Sequence, residues 1–162
     1  MTLRVLGIDP GTAVLGYGVV EAVRGRPGHL VECGVLRTNA REAAGVRLAG
    51  IYDGVEQLIA RHGPAAVAVE TSFYRKNVRT TVQLGQVRGV VLLAAARAGL
   101  DVAELPPASV KKCVVGEGRA TKDQVGYMVQ QLLRLKEPPH PHDAADACAI
   151  ALTYLMTARA RT

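Results

Sequence analysis

Tryptophan is absent from this 162-residue sequence, and phenylalanine occurs once, as Phe73. The three cysteines, Cys33, Cys113 and Cys148, are odd in number and include no Cys-x-x-Cys pair. That pattern argues against a structural zinc site and a disulfide framework, and leaves each thiol as a small core or near-core residue. No apolar run suits a bilayer, because the most apolar stretch, Val82 to Leu100, is interrupted by Gln83, Gln86, Arg88 and Arg97. The opening Met1-Thr2-Leu3-Arg4 lacks a signal-peptide layout. These absences imply a reducing cytoplasm and no membrane. Internal repeats, low-complexity linkers and a visible boundary are missing too, so one domain over residues 1–162 is expected.

What is present describes a globular chain with a basic surface. Hydrophobic residues make up 49% and charged residues 21%, which separates the sequence from disordered ones. The formal charge is +6, from 20 Lys plus Arg against 14 Asp plus Glu. If several of the acids share one cleft, the remaining surface is more basic still, which favours a polyanionic partner.

Strand-like runs at Leu3 to Asp9, Val14 to Val23 and Leu30 to Thr38 are separated by Gly11-Thr12 and Gly25-Arg26-Pro27-Gly28, as in an antiparallel meander. Leu48, Ile51, Tyr52, Val55, Leu58 and Ile59 recur at helical spacing until His62-Gly63-Pro64. A short strand ends at Glu70, a helix runs from Thr80 to Ala98, and Asp101 to Leu105 reads as a strand. Helices follow at Ser109 to Val114, Lys122 to Leu135 and, after Pro138-Pro139-His140-Pro141, His142 to Ala158. The order predicts an α/β fold: a mixed five-stranded sheet, with a three-strand antiparallel meander plus parallel strands, flanked by helices. The first and fourth strands can then be parallel neighbours, bringing Asp9 and Glu70 to one edge.

Four carboxylates stand where such a fold can gather them. Asp9 closes its apolar run ahead of Pro10-Gly11-Thr12, and Glu70 ends Ala65-Ala66-Val67-Ala68-Val69. Asp143 and Asp146 open the last helix at i,i+3 spacing, on one face. Plainer readings exist: Asp9-Pro10-Gly11 makes a good turn by itself, and Asp143 suits a helix N-terminus. Glu70 resists one, since a charge after five small apolar residues is poorly placed for a core strand. Crowded carboxylates raise one another's pKa, a conflict that divalent cations remove. An all-oxygen donor set suits Mg²⁺, with Mn²⁺ as substitute. Two ions about 3.5–4 Å apart can activate a water and stabilise a leaving oxygen, the chemistry of phosphodiester cleavage. Asp9 is cast as the bridging ligand, Glu70 on one ion, and Asp143 with Asp146 on the other.

The segments Gly7-Ile8-Asp9-Pro10-Gly11-Thr12, Gly16-Tyr17-Gly18, Glu70-Thr71-Ser72-Phe73, Leu84-Gly85-Gln86-Val87-Arg88-Gly89, Val114-Val115-Gly116 and His142-Asp143-Ala144-Ala145-Asp146-Ala147 resemble, in that order, the RuvC Holliday-junction resolvases. The resemblance spans nearly the whole chain. It implies an RNase H-like fold, a homodimer, magnesium dependence, and paired symmetric nicking of four-way DNA junctions that leaves 5′-phosphate ends in recombination and repair. It also implies a branch-migration complex, RuvA–RuvB, as partner. The family's catalytic acids map onto Asp9, Glu70, Asp143 and Asp146, its basic positions onto Lys111 and Lys122, and its junction-facing aromatic onto Phe73. Some relatives carry histidine for the third acid, so His142 and Asp143 both stand as candidate ligands here. Neutral imidazole is softer than magnesium prefers, which favours an auxiliary role for His142.

The binding candidates keep two readings each. In Phe73-Tyr74-Arg75-Lys76 the aromatics can stack on an unpaired base while the cations meet phosphates, or Phe73 can pack beneath its own loop. Lys111, Lys112, Arg119 and Lys122 make either a phosphate-contacting rim or a solvated face; Lys122 is suited to stabilising charge on a scissile phosphate. Gly85 and Gly89 admit close packing, against the molecule's own sheet or across a two-fold dimer contact. Three competing functions remain. The first loop also resembles that of sugar kinases and actin-like ATPases, which need a second copy not seen here. A YqgF-type RNase H-like nuclease lacks the complete acid series. A junction-binding module that does not cut would have no use for four carboxylates that repel DNA.

Overall fold

The computed structural model describes residues 2–71 and 75–160. Strands β1 (Arg4–Asp9), β2 (Val14–Val23) and β3 (Arg26–Arg37) lead into helix α1 (Ala44–His62), strand β4 (Ala66–Glu70), helix α2 (Val78–Arg97) and strand β5 (Asp101–Leu105). Helices α3 (Pro107–Val115), α4 (Lys122–Leu133) and α5 (His142–Arg159) complete the described elements. They form one sheet in the order β3-β2-β1-β4-β5. The meander is antiparallel, while β1 with β4 and β4 with β5 are parallel, as the strand order predicts. Ala66 to Val69 are all buried, because a central parallel strand is covered on both faces.

Alternation along the strands divides the interior in two. Leu6, Ile8, Leu15, Val19, Val67 and Val69 meet Ile51, Val55 and Leu58 of α1 and Val87 and Val91 of α2. On the opposite face Val5, Val20 and Ala68 meet Cys148, Ile150 and Leu152 of α5, backed by α3 and α4. Each fully buried Leu, Ile or Val contributes about 1.5–3 kcal/mol of transfer free energy, so both layers are substantial cores. The second layer has an additional feature. A methyl group on Gly7 would lie 2.2 Å from the Ala147 carbonyl oxygen, and one on Gly16 would lie 2.0 Å from that of Asp143. Helix α5 therefore rests its backbone directly on β1 and β2, which no side chain at these positions would allow.

Element ends differ from expectation where tertiary context decides. The turn between β2 and β3 is only Arg24-Gly25, so Arg26-Pro27-Gly28 lies inside β3 rather than forming the turn. Proline is tolerated there because β3 is an edge strand. Helix α2 starts at Val78, as the Asn77 side chain accepts hydrogen bonds from the Arg79 and Thr80 N–H groups. Helix α3 begins at Pro107, which supplies its first turn. Thr121 and Gln124 form a reciprocal capping box on α4, which ends at Leu133 because Arg134 takes a left-handed conformation with φ 55°. The break at His62-Gly63 falls as expected, with Gly63 at φ 51°. All three cysteines are free thiols, Cys148 buried and Cys33 and Cys113 half-buried. No helix among the described residues is long and apolar enough to cross a membrane.

Candidate active site

The carboxyl ends of β1 and β4 carry the two strand acids. Ile8 pairs with Val69, so Asp9 and Glu70 each sit one step beyond that pair. By alternation both point to the α5 face, with Gly7 and Ala68 as their same-face predecessors. Asp9 is paired on its other side with Gly16, whose missing side chain admits the first turn of α5 and hence Asp143. One turn along that helix, Asp146 follows. The four acids line one open cleft of about 430 Å³, together with Pro10, Gly11 and Thr12.

Electrostatics reflect the crowding. Burial, then the charges of Glu70, Asp146 and Asp143, push the Asp9 carboxyl up from 3.8 to about 8, against the pull of Lys122. Glu70 is raised by burial and by Asp146, and Lys111, Arg75 and Lys122 counter this. Asp146 is likewise raised by burial, opposed chiefly by Lys122, whose Nζ lies 3.6 Å from its Oδ2. Lys122 is the first residue of α4, held by the Thr121 capping box, so its ammonium enters from a fixed helix start.

Three of the expected basic residues, Arg75, Lys111 and Lys122, line the cleft. Lys76, Lys112 and Arg119 are exposed but are not among its lining residues. Phe73 and Tyr74 lie outside the described residues. His142 is not brought into the cleft: its side chain is 59% exposed and its Nε2 stands 4.0 Å from Asp123 Oδ1. The reason is helical geometry, since successive residues point about 100° apart and Asp143 takes the inward direction. Gly85 and Gly89 do not pack on the molecule's own sheet; a methyl group on either would meet nothing within 4 Å.

Several contributors escaped sequence reasoning. Thr80 of α2 and Pro107 and Val110 of α3 form walls of the cleft, although nothing in their local sequence marks them; Leu84, which opens one of the segments that carry the resemblance, joins them. Arg47, on α1, donates from its guanidinium to the Thr12 carbonyl and, at 3.3 Å, to the Thr38 hydroxyl. It thereby anchors the loop that follows Asp9. The Thr81 hydroxyl accepts from the Arg75 N–H at 3.1 Å and sets that residue's backbone.

The donor set is all oxygen and suits a hard divalent cation. Among the described residues, however, no three His, Cys, Asp or Glu side chains are gathered tightly enough to hold an ion unaided. A cation that keeps several waters and takes oxygens from a substrate phosphate fits this open arrangement better than an all-protein cage.

A mixed sheet in this order, with its helices so distributed, makes the chain an α/β protein of RNase H-like fold. The family model described as crossover junction endodeoxyribonuclease RuvC matches residues 5–154. The chain belongs to the RuvC family. It is 53% identical over 153 residues to the crossover junction endodeoxyribonuclease RuvC of Moorella thermoacetica, covering 94% of this chain and 90% of that one. Its likeness to the Streptomyces griseus protein of the same description is 48% over 159 residues, covering 98% and 78%. Among solved structures it is similar to Thermus thermophilus RuvC, at 41% identity and TM-score 0.89, covering 100% and 98% of the two chains. It is also similar to T. thermophilus RuvC in complex with Holliday junction substrate, at 41% identity and TM-score 0.92, covering 99% and 97%.

Proposed function

We propose that this chain resolves four-way DNA junctions by paired, symmetric hydrolysis of phosphodiester bonds, leaving 5′-phosphate ends, in homologous recombination and repair. The observation that carries this reading is the meeting of Asp9, Glu70, Asp143 and Asp146 in one cleft with Lys122, Lys111 and Arg75 on its rim. Asp9, Glu70, Asp143 and Asp146 would hold Mg²⁺, two ions in the fullest arrangement, with Mn²⁺ able to substitute. Bound there, the metal would supply an activated water and charge neutralisation at the leaving 3′ oxygen.

The chain's own groups do the rest. Asp9, whose carboxyl is pushed up to about 8 by burial and its acidic neighbours, would give up its proton on holding the cation. Lys122 neutralises part of the acidic field beside Asp146, which lowers the repulsion a DNA phosphate meets on entry. Arg75 and Lys111 offer cations to the flanking phosphates, with Lys76, Lys112 and Arg119 extending the basic surface outward. Phe73 and Tyr74 are assigned to base stacking at the junction. Val78, Val82 and Leu93 are exposed on α2, and Gly85 and Gly89 lie open on the same helix. A second copy docking on that helix would give a two-fold homodimer whose paired sites match two equivalent strands. RuvA–RuvB and a cytoplasmic setting complete the reading.

The test is Asp9→Asn. Cleavage of a synthetic four-way junction should fall on the order of 10³-fold, about 4 kcal/mol of barrier, while junction affinity holds. Normal cleavage by this variant would remove Asp9 from the metal site. Duplex and RNA substrates in parallel separate the proposal from a related nuclease: equal rates on all three would end the junction assignment.

A further inference from the structure

Cys33 and Cys148 lie far apart in sequence but share one spot on the α5 face. In the β2–β3 ladder Cys33 stands directly opposite Gly18, so its side chain projects from the same face beside that glycine. A methyl group on Gly18 would lie 2.7 Å from the Cys148 Sγ. The sulfur of Cys148 thus occupies the space that the glycine leaves, next to Cys33. The neighbouring Cys148 thiol pulls the Cys33 thiol down to about 7, against the raising effects of its partial burial and of Glu32. Cys148 is fully buried while Cys33 is half-buried on an edge strand. A reachable thiol backed by an enclosed partner is the arrangement of an attacking and a resolving cysteine.

We propose that Cys33 and Cys148 are a site of reversible oxidation, closing to a disulfide that ties β3 to α5 and slows cleavage by moving the acids of that helix. The effect on cleavage rests on the nuclease reading above; the disulfide does not. With a peroxide as oxidant, the Cys33 thiolate attacks one peroxide oxygen, the O–O bond breaks, and the released hydroxide takes up a proton to become water. Cys33 is then a sulfenic acid. The Cys148 sulfur attacks the Cys33 sulfur, an S–S bond forms, the S–O bond breaks, and the hydroxyl leaves with the Cys148 proton as a second water. The sulfur pair loses two electrons and the peroxide gains them. A covalent S–S bond is far shorter than a sulfur–sulfur contact, so α5 is drawn toward β3. Asp146 is two residues from Cys148 on a helix already seated backbone to backbone, and it moves with that pull.

The test exposes the full-length protein to hydrogen peroxide, alkylates free thiols and maps peptides by mass spectrometry. Expected is one intramolecular Cys33–Cys148 disulfide with Cys113 still alkylated, reversed by dithiothreitol. Three alkylated cysteines, a bond involving Cys113, or sulfinic acid at Cys33 without a cross-link would overturn the proposal. Junction cleavage by the oxidised protein should fall several-fold and recover on reduction, while Cys33→Ser given the same treatment keeps its rate. Circular dichroism confirms that this variant is folded, and Cys113→Ser, which should still cross-link, is the second variant. A disulfide that forms without slowing cleavage overturns the regulatory part. Reduced protein that cuts no junction would overturn the nuclease reading instead, and the peptide map then decides the disulfide alone.

Discussion

The two faces of the sheet are packed in different ways. Toward α1 and α2, strands β1 and β2 present Leu6, Ile8, Leu15 and Val19, all buried, and the helices stand off by the thickness of those side chains. Toward α5 the same strands present Gly7, Gly16 and Gly18 between the valines, and the helix descends until its backbone touches theirs. A layer of branched side chains can absorb small changes by shifting rotamers, whereas backbone contact has no such slack. The acids of the cleft are mounted on the unyielding face. Asp9 and Glu70 end strands that α5 covers, and Asp143 and Asp146 begin that helix.

The sharpest way to break the contrast is to place one methyl group on each side. Gly7→Ala sets a Cβ 2.2 Å from the Ala147 carbonyl oxygen, so α5 must lift. Cleavage should drop on the order of 10²-fold, about 2.7 kcal/mol in barrier, with about 1–3 kcal/mol of stability lost to overpacking. On the opposite face Ile8→Val removes a methylene from a buried side chain and should cost about 0.5–1.5 kcal/mol while leaving cleavage per folded molecule unchanged. Denaturant melts and single-turnover rates on both variants decide it. Equal effects on cleavage would show that the glycine-seated face is no stiffer than the other.

Titration offers a second, smaller contrast, because one carboxyl on each face, Asp9 and Glu32, is shifted in opposite directions. Asp9 is raised to about 8 by burial and its acidic neighbours. Without divalent cations, its contribution to stability is fully present below the ordinary carboxylate value of 3.8 and is lost as pH rises through about 8. Glu32 lies on the other face. Burial alone would raise it, but the Tyr17 hydroxyl, Arg61 and His62 outweigh that and hold it low. Its contribution is present above the ordinary value and is lost as pH falls below it. Metal-free protein should therefore lose Tm by several degrees between pH 5 and pH 8 (about 1 kcal/mol moves Tm about 2–4 °C in a chain of this size). Asp9→Asn should flatten that slope, and millimolar Mg²⁺ at pH 8 should restore Tm in the parent only. A Tm that rises steadily to pH 8 in metal-free parent protein would contradict the crowding of the four acids.

Much of this is legible in the chain itself. Asp9 and Glu70 end apolar runs, and the strand order alone places those runs side by side. The i,i+3 spacing of Asp143 and Asp146 is enough to put them on one helix face. What cannot be read there depends on neighbours remote in sequence. Pro27 signals a turn locally, and the edge position of β3 together with a register shift against β2 at that point explains why it sits in a strand. His142 and Asp143 are adjacent, and the seat of α5 on Gly16 decides which of them faces inward. The walls supplied by Thr80, Pro107 and Val110 arise from how α2 and α3 pack, which no local pattern encodes.

The smallest predicted effect concerns a link from the α1 face to the loop that borders the cleft. Arg47 is half-buried on α1, and its guanidinium holds the Thr12 carbonyl and the Thr38 hydroxyl, fixing the loop that leaves Asp9. Arg47→Met keeps the length of the side chain and removes its hydrogen bonds to both acceptors, each bond worth about 0.5–1.5 kcal/mol. If loop position matters to the chemistry, the loss appears in kcat, by about threefold to tenfold (about 0.7–1.4 kcal/mol), with KM for the junction little changed, because Arg47 itself does not line the cleft. Arg47→Lys should recover part of it, since an ammonium can reach one acceptor but lacks the fork that serves two. A purely structural role would lower Tm and leave kcat intact. That outcome would mean Pro10 and Gly11 hold the loop unaided, and that the two faces of the sheet are mechanically independent after all.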